Sequence, residues 1–414
     1  LSAAPPENSS ASWRLGVLGL LALWIMAPVT LPVPVLRELV QERFDVSELL
    51  TSLFMSVNML GALFAAPMVG ALVDRIGRRR QLLVGALLLD AACFFALAMP
   101  VPFSLFLSIR FVEGCVHIGA LSILLTLASN TLAPEQRGRA MGIVGGCMML
   151  GIAIGAPVGG ALAKRSVVTP LEAGGVLLVG AALLALIAAR EVDRDPERPG
   201  LAAIVAALRR RPAILLPLAF AFADRFTVGF FTTTFSLYLR RIHDLPPPQI
   251  GIAIAIFMIP FALLSVPFGL LADRRSPIAM LCIGSVLYGV GTAAVGFTAP
   301  PALYALMFAI GVAAAVMFVP SMLMTTRMAP DEVRATALGA FNAAGSLGFV
   351  LGPITGGAVS QAVAANSGWL AGYRVAFITA GASEILCVVA ALVFLARQRG
   401  SLRPAAEGPE RMVD

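Results

Sequence analysis

Long apolar runs separated by short polar connectors recur along the whole chain. Each run approaches the ~20 apolar residues that cross a bilayer. The pattern predicts helices over roughly 15–36, 49–73, 81–99 and 103–128, a fifth around 142–160 and a sixth over 171–189. It resumes over roughly 213–239 and 250–272, with two helices inside 278–328, one around 348–357 and a last over 374–396. This is the pattern of an all-α membrane protein with twelve transmembrane helices. The first apolar run is too long for a signal peptide and is expected to be the first span. The polar ends, 1–14 and 397–414, are expected to be cytoplasmic tails. The hydrophilic stretch 190–212, which ends in Arg209-Arg210-Arg211, is expected to link an N-terminal six-helix half (15–189) to a C-terminal one (213–396).

The connector between helices 2 and 3 is the most informative. It reads Gly70-Ala71-Leu72-Val73-Asp74-Arg75-Ile76-Gly77-Arg78-Arg79-Arg80, and returns degraded as Gly269-Leu270-Leu271-Ala272-Asp273-Arg274-Arg275. The spacing between the copies, about half the chain, indicates an internal repeat. Helix 5 carries Gly151, Gly155, Pro157, Gly159 and Gly160. Helix 11 carries Gly348, Gly352, Pro353, Gly356 and Gly357 at nearly the same offset. Small residues at helical spacing let two helices approach closely. Ala133-Pro134 and Ala329-Pro330 open a third matched pair of connectors.

This repeated loop resembles the signature of the major facilitator superfamily. The resemblance implies two six-helix halves in a pseudo-two-fold arrangement, with substrate bound near the midplane between them. It makes Gly70, Asp74, Arg75, Gly77 and Arg78, with the echo at Asp273 and Arg274, a gating motif. In it, Asp74 sits against the end of helix 11 and latches the halves. The glycine run of helix 11 resembles the antiporter motif that the drug:proton antiporter branch carries in helix 5. In helix 5 of this chain, Pro157 is displaced by one residue from that pattern.

Composition agrees with a membrane protein: 59% of residues are apolar and 13% charged, where soluble domains carry about a quarter charged residues. The net charge of +7 comes almost entirely from arginines in connectors. With both termini inside, basic residues favour the inside segments by roughly three to one. Cytoplasmic termini are therefore expected, and the short loops and arginine-rich, high-alanine composition give the expectation of an inner (plasma) membrane, with the lipid bilayer as surroundings and no nucleic-acid partner. A monomer is expected. Cys93, Cys115, Cys147, Cys282 and Cys387 all fall within spans at no metal-ligand spacing. The sequence contains no phosphate-cradling loop, metal cluster or nucleophile–base set, so neither enzyme activity, a cofactor nor a metal is expected.

Charges inside a bilayer are costly and are functional candidates by default. Arg110, Glu113 and His117 lie along one stripe of helix 4. Arg110-Phe111-Val112-Glu113-Gly114 resembles the superfamily's helix 4 motif, whose arginine is associated with proton coupling in exporters. Glutamine often precedes its glycine, whereas Glu113 here adds a titratable group. Helix 7 supplies Asp224 and Arg225. Adjacent residues point ~100° apart, so these two need not pair with each other. The resemblance sets them opposite helix 4, which gives the expectation of a network from Arg110 and Glu113 to Asp224 and Arg225 across the cavity, broken and remade during alternating access. Asp90 and Glu384, on peripheral helices, are expected to be packing residues. Trp24, Phe226, Phe230, Phe231, Phe235 and Tyr238 favour an amphipathic cargo over a sugar. The expected function is secondary active transport by alternating access, as proton-coupled efflux of small amphipathic compounds. The rival readings are proton-independent or uptake transport of a metabolite or lipid-like molecule, and a receptor or scaffold that does not transport.

Overall fold

The computed structural model describes residues 7–76, 78–129, 137–188, 214–328 and 334–401. Gly77, the stretch corresponding to the expected linker and the connectors at Ala133-Pro134 and Ala329-Pro330 lie outside the described residues. So do residues 1–6 and 402–414, while the rest of each expected tail extends helix 1 or helix 12. The described residues form twelve helical spans long and apolar enough to cross a membrane, and no strand. In order, helices 1 to 6 are Glu7–Thr30, Glu48–Ile76, Arg79–Ala98, Phe103–Ser129, Arg137–Leu162 and Thr169–Ala188. Helix 7 comes in two pieces, Leu215–Thr232 and Thr234–Ile242. Helices 8 to 12 are Pro247–Arg274, Pro277–Ala294, Pro300–Met328, Arg334–Ser367 and Trp369–Ser401.

The ends follow local chemistry. The Ser276 side chain accepts from the Ala279 amide and Pro277 occupies the first turn of helix 9, where a missing amide proton does no harm. Gly368 joins helices 11 and 12 at φ 81°, a conformation a side chain would strain. Two expected boundaries are corrected. Helix 1 stops at Thr30, because Pro32 and Pro34 cannot continue it. The chain then passes through a 3₁₀ turn, Val33–Val35, and a π turn, Arg37–Glu42, in place of an open loop. Helix 7 is not continuous. Thr232 and Thr233 both turn their hydroxyls back to the Gly229 carbonyl, at 2.9 and 3.0 Å. This competes with the helical ladder, and the chain re-forms as helix from Thr234.

The main packing pairs repeat between the halves. Helix 1 lies on 5, helix 2 on 4 and helix 3 on 6; in the second half helix 7 lies on 11, helix 8 on 10 and helix 9 on 12. The halves meet through helix 5 on 8 and helix 2 on 11, the same contact repeated. This is the symmetry of a duplicated bundle around an axis along the membrane normal.

The glycine runs face these contacts. A Cβ on Gly151, Gly155 or Gly159 would strike the backbone carbonyls of Leu23 and Ala27, on successive turns of helix 1, and of Leu31 just past its end. One on Gly348 or Gly352 would strike those of Phe222 and Phe226 in helix 7, while one on Gly356 would meet the Thr234 hydroxyl. Pro353 packs against Gly229, and Pro157 against Gly251 of helix 8. Gly352→Ala is expected to lower the melting temperature, by the ~1–3 kcal/mol that overpacking costs. Gly146→Ala, where nothing lies within 4 Å of the new carbon, should leave it unchanged. Thermal unfolding of the two variants in detergent is the check.

Candidate functional site

Helices 2, 3 and 4 enclose a buried polar cluster. Gly61 and Gly114 allow helices 2 and 4 to touch backbone to backbone, because a Cβ on either would meet a carbonyl of the other helix. This close crossing brings Asn58 onto Glu113: the Asn58 amide donates to Glu113 Oε2, and Arg110 donates to the same oxygen at 2.6 Å. Arg110 also donates from Nε to the Phe54 carbonyl at 3.2 Å and lies over the Phe54 ring, 4.2 Å from its centroid. Arg110 and Glu113 are each 1% exposed. An ion pair this dry holds together only because every strong donor has an acceptor.

One turn further along helix 4, His117 Nδ1 lies 2.9 Å from Asp90 Oδ2 of helix 3. Asp90 Oδ1 and His117 Nε2 are buried with no hydrogen-bond partner. Asp90 thus faces inward and bonds a polar neighbour, as a buried packing acid would, and this contact sets it beside the helix 4 cluster. Asp90, Glu113 and His117 bring their ligand atoms within 4.8 Å of one another, which is close enough to share a cation. Arg110 already neutralises Glu113, so the set suits a proton better than a metal ion. Chemically, it is a carboxylate held by a permanent cation and an amide, beside a histidine–carboxylate pair with one free valence on each partner.

The second half is built differently. Asp224 and Arg225 do pair, with Arg225 Nε 3.4 Å from Asp224 Oδ2, because the long arginine stem bridges the angle between neighbouring positions. Arg225 also lies over Phe318 of helix 10, 5.3 Å from its centroid. In this conformation the expected network from Arg110 and Glu113 to Asp224 and Arg225 is not made. Each charge is taken up within its own half, Arg110 and Glu113 on helices 2 and 4, Asp224 and Arg225 on helix 7.

One face of the bundle, the one bearing residues 31–48, 240–250 and 367–369, is sealed between the halves. Glu48, 1% exposed, accepts from the Tyr373 hydroxyl and from Ser360 Oγ at 3.4 Å, and lies 3.0 Å from Arg241 Nε. Arg241 stacks on Trp369, 3.8 Å from the ring centroid. Beside it, Arg240 bridges Glu38 and Asp244, at 2.5 Å each. Ser236, in the second piece of helix 7, donates to the Val33 carbonyl at 2.7 Å. The break at Thr233 therefore ends in a contact with the other half. Burial pushes the nearby His243 imidazole down, so it is neutral at pH 7 and adds no charge to this latch.

Glu48 and Asn58 were not singled out by sequence reading. Both are polar residues within or at the end of an apolar run, and that was the only available signal. In the gating motif, Gly70, Asp74 and Arg75 lie in the last turns of helix 2 and Asp273 and Arg274 end helix 8. Arg78 and Arg274 are exposed. The expected latch between Asp74 and helix 11 lies outside the described residues.

Comparison with known proteins agrees with this architecture. The family model for the Major Facilitator Superfamily matches residues 18–238 and 218–412. The 3-(3-hydroxy-phenyl)propionate transporter of Escherichia coli (strain K12) is 26% identical over 384 residues, 89% of this chain and 90% of that protein. The chromaffin granule amine transporter of Rattus norvegicus is 26% identical, over 73% of this chain and 61% of its own length. Multidrug resistance protein 2 of Bacillus subtilis (strain 168) is 25% identical, over 58% and 62%. The chain thus spans about three fifths of the length of the last two. Among solved structures, a bacterial homologue of the human lysosomal transporter Spinster, inward-facing and unoccupied, superposes with TM-score 0.81 at 15% identity. That match covers 98% of this chain and 100% of the other. The D-xylose-proton symporter superposes with TM-score 0.72 at 16% identity, covering 92% and 96%. At these identities the superpositions speak for the fold. From the matched family model the chain belongs to the Major Facilitator Superfamily, and its described residues form the twelve spans and duplicated bundle of a multi-pass membrane protein.

Proposed function

We propose that this transporter exchanges protons for a small amphipathic or aromatic organic compound by alternating access, with Glu113 as the proton carrier. The observation that carries this reading is the buried Arg110–Glu113–Asn58 cluster beside the Asp90–His117 pair. A carboxylate on a fixed cation changes its grip when it gains a proton. Protonation removes the charge that Arg110 neutralises and frees the guanidinium for another anion or for the second half. That is the differential interaction an ion-coupled conformational change requires. Efflux, through the drug:proton antiporter branch, is the favoured direction, and the match to a multidrug resistance protein supports it. The sealed face with Glu48 is then the outer one, and the arginine-rich face of Arg78–Arg80 is cytoplasmic, consistent with basic residues facing inward. The halves 15–189 and 213–396 move as the two rocking bodies.

A second cargo reading has its own support. The relative matched nearly end to end is named for an aromatic acid, and a guanidinium released from Glu113 suits a carboxylate.

Purified protein in liposomes, with a pH-sensitive dye trapped inside, tests the proposal. The probes are 3-(3-hydroxyphenyl)propionate, lipophilic amines and a sugar, each added with and without a pH gradient. Probe-driven proton movement is expected in the parent and its loss in Glu113→Gln. Probe flux with no proton movement, or proton movement unchanged in Glu113→Gln, would overturn Glu113 as carrier. The two organic probe classes separate the cargo readings.

A further inference from the structure

The second half contains a buried acid pair that the proposed proton route does not use. Thr227 of helix 7 donates to the Ala380 carbonyl of helix 12 at 3.3 Å. The two helices run in opposite directions. One turn from this contact, in the same sense along the bundle, stand Asp224 on helix 7 and Glu384 on helix 12. Helix 9 closes the space from the third side. A Cβ on Gly289 would lie 3.1 Å from Glu384 Cβ, and Gly381 packs on the Gly289 carbonyl. This close crossing places Tyr288 within electrostatic reach of both carboxylates, with Ser285 beside Glu384.

The groups facing Glu384 can be enumerated from each packed element. Helix 7 contributes Asp224, helix 9 contributes Ser285 and Tyr288, and helix 12 contributes Cys387 one turn on, while Arg225 acts on Asp224 and Tyr288. The cation among them, Arg225, is drawn to Asp224 and to the Phe318 ring. Glu384 is 0% exposed; the Ser285 hydroxyl beside it donates to Met317 Sδ at 3.3 Å, which leaves neither carboxylate oxygen accepting a hydrogen bond. Asp224 Oδ1 and the fully buried Tyr288 hydroxyl are likewise unpartnered. Four unsatisfied oxygens, from two acids and a phenol, thus share one arginine, which pairs with Asp224 and not with Glu384. With both acids ionised the cluster carries one uncompensated negative charge in a dry interior, which is not sustainable. Hard monovalent cations prefer all-oxygen surroundings.

We propose that Glu384, Asp224 and Tyr288 form a second, C-terminal-half site for one small monovalent cation, a proton or a sodium ion. The site is independent of helix 4, so it stands or falls separately from the role given to Glu113. The cation neutralises Glu384 and ties helices 7, 9 and 12 together, and its release loosens helix 7 against its own half.

The test is thermal unfolding of the full chain in lipid nanodiscs, across pH and with sodium exchanged for choline at constant ionic strength. The melting temperature of the parent is expected to rise with the bound cation, as any ligand of the folded state requires. In Glu384→Gln that increment disappears, while Glu113→Gln retains it. An increment that follows sodium at fixed pH identifies the sodium ion. One that follows pH in choline identifies the proton, with the infrared carboxylic-acid stretch lost in Glu384→Gln. Tyr288→Phe, which keeps all charges, should weaken a sodium response and leave a proton response in place. If Glu384→Gln does not fold, Asp224→Asn takes its place with the same expected loss. Parent-like pH and sodium responses in the variants, or no response in the parent, overturn the proposal.

Discussion

Arg110→Ala is expected to destabilise the protein by ~3–5 kcal/mol and to abolish transport. The guanidinium is wholly buried and meets Glu113, the Phe54 carbonyl and the Phe54 ring. Without it, a carboxylate remains in the core with Asn58 as its one donor. Adding Glu113→Gln removes that stranded charge and keeps a side chain able to bond Asn58, so most of the lost stability should return. Coupled transport should not return with it. The double variant therefore separates two roles. A purely structural ion pair would give back both stability and proton-coupled flux once its charges are removed together. A coupling pair gives back stability alone. Unfolding of the single and double variants measures the first quantity, and dye-loaded liposomes measure the second.

Much of the fold was legible because hydropathy and repetition are one-dimensional signals. The runs that predicted twelve spans are the twelve spans, and the offset between the two glycine runs is the offset between helix 1 on 5 and helix 7 on 11. The recurrence of Gly151, Gly155 and Gly159 at every fourth residue already describes a smooth stripe. What it could not name was the surface pressed against that stripe, the carbonyls of Leu23, Ala27 and Leu31.

Pairing among charges was harder to read, for a physical reason. In a membrane helix every face is apolar, so the sequence pattern hardly fixes rotation about the helix axis. Helix 3 gives no sign that Asp90 turns toward His117, and helix 2 gives none that Asn58 meets Glu113. The sequence pattern gave no warning of the close approach of Asp224 and Arg225, since the angle between adjacent residues says nothing about how far an arginine stem reaches. The break at Thr233 was also hidden, because three consecutive threonines are compatible with helix until their hydroxyls find the Gly229 carbonyl. Glu48 looked like one of several charges in a connector. Its burial depends on Tyr373 and Ser360, more than three hundred residues away.

That distant contact leads to the second large effect, a shift in conformation. Glu48 joins the halves at the sealed face through Tyr373, Ser360 and Arg241. In the proposed alternating-access cycle this face opens, and the carboxylate then meets water in place of these partners. Its interactions therefore stabilise one state of the cycle and not the other. Glu48→Ala strands Arg241 against Trp369 with no counter-ion, so ~3 kcal/mol or more is lost from the sealed state alone. That moves the open-to-sealed ratio by about a hundredfold. Glu48→Gln keeps acceptors for Tyr373 and Ser360 and should shift the ratio less. Spin labels at Arg165 and Ser367, both exposed on this face and on opposite halves, report the change after the native cysteines are replaced. The parent should give one short distance, Glu48→Ala a dominant longer one, and Glu48→Gln a mixture. Equal distances in all three would mean that helix 5 on 8 and helix 2 on 11 hold the face closed by backbone packing, with the Glu48 cluster a passenger. Transport by Glu48→Ala should slow even where it folds normally, because resealing this face becomes the uphill step of every cycle.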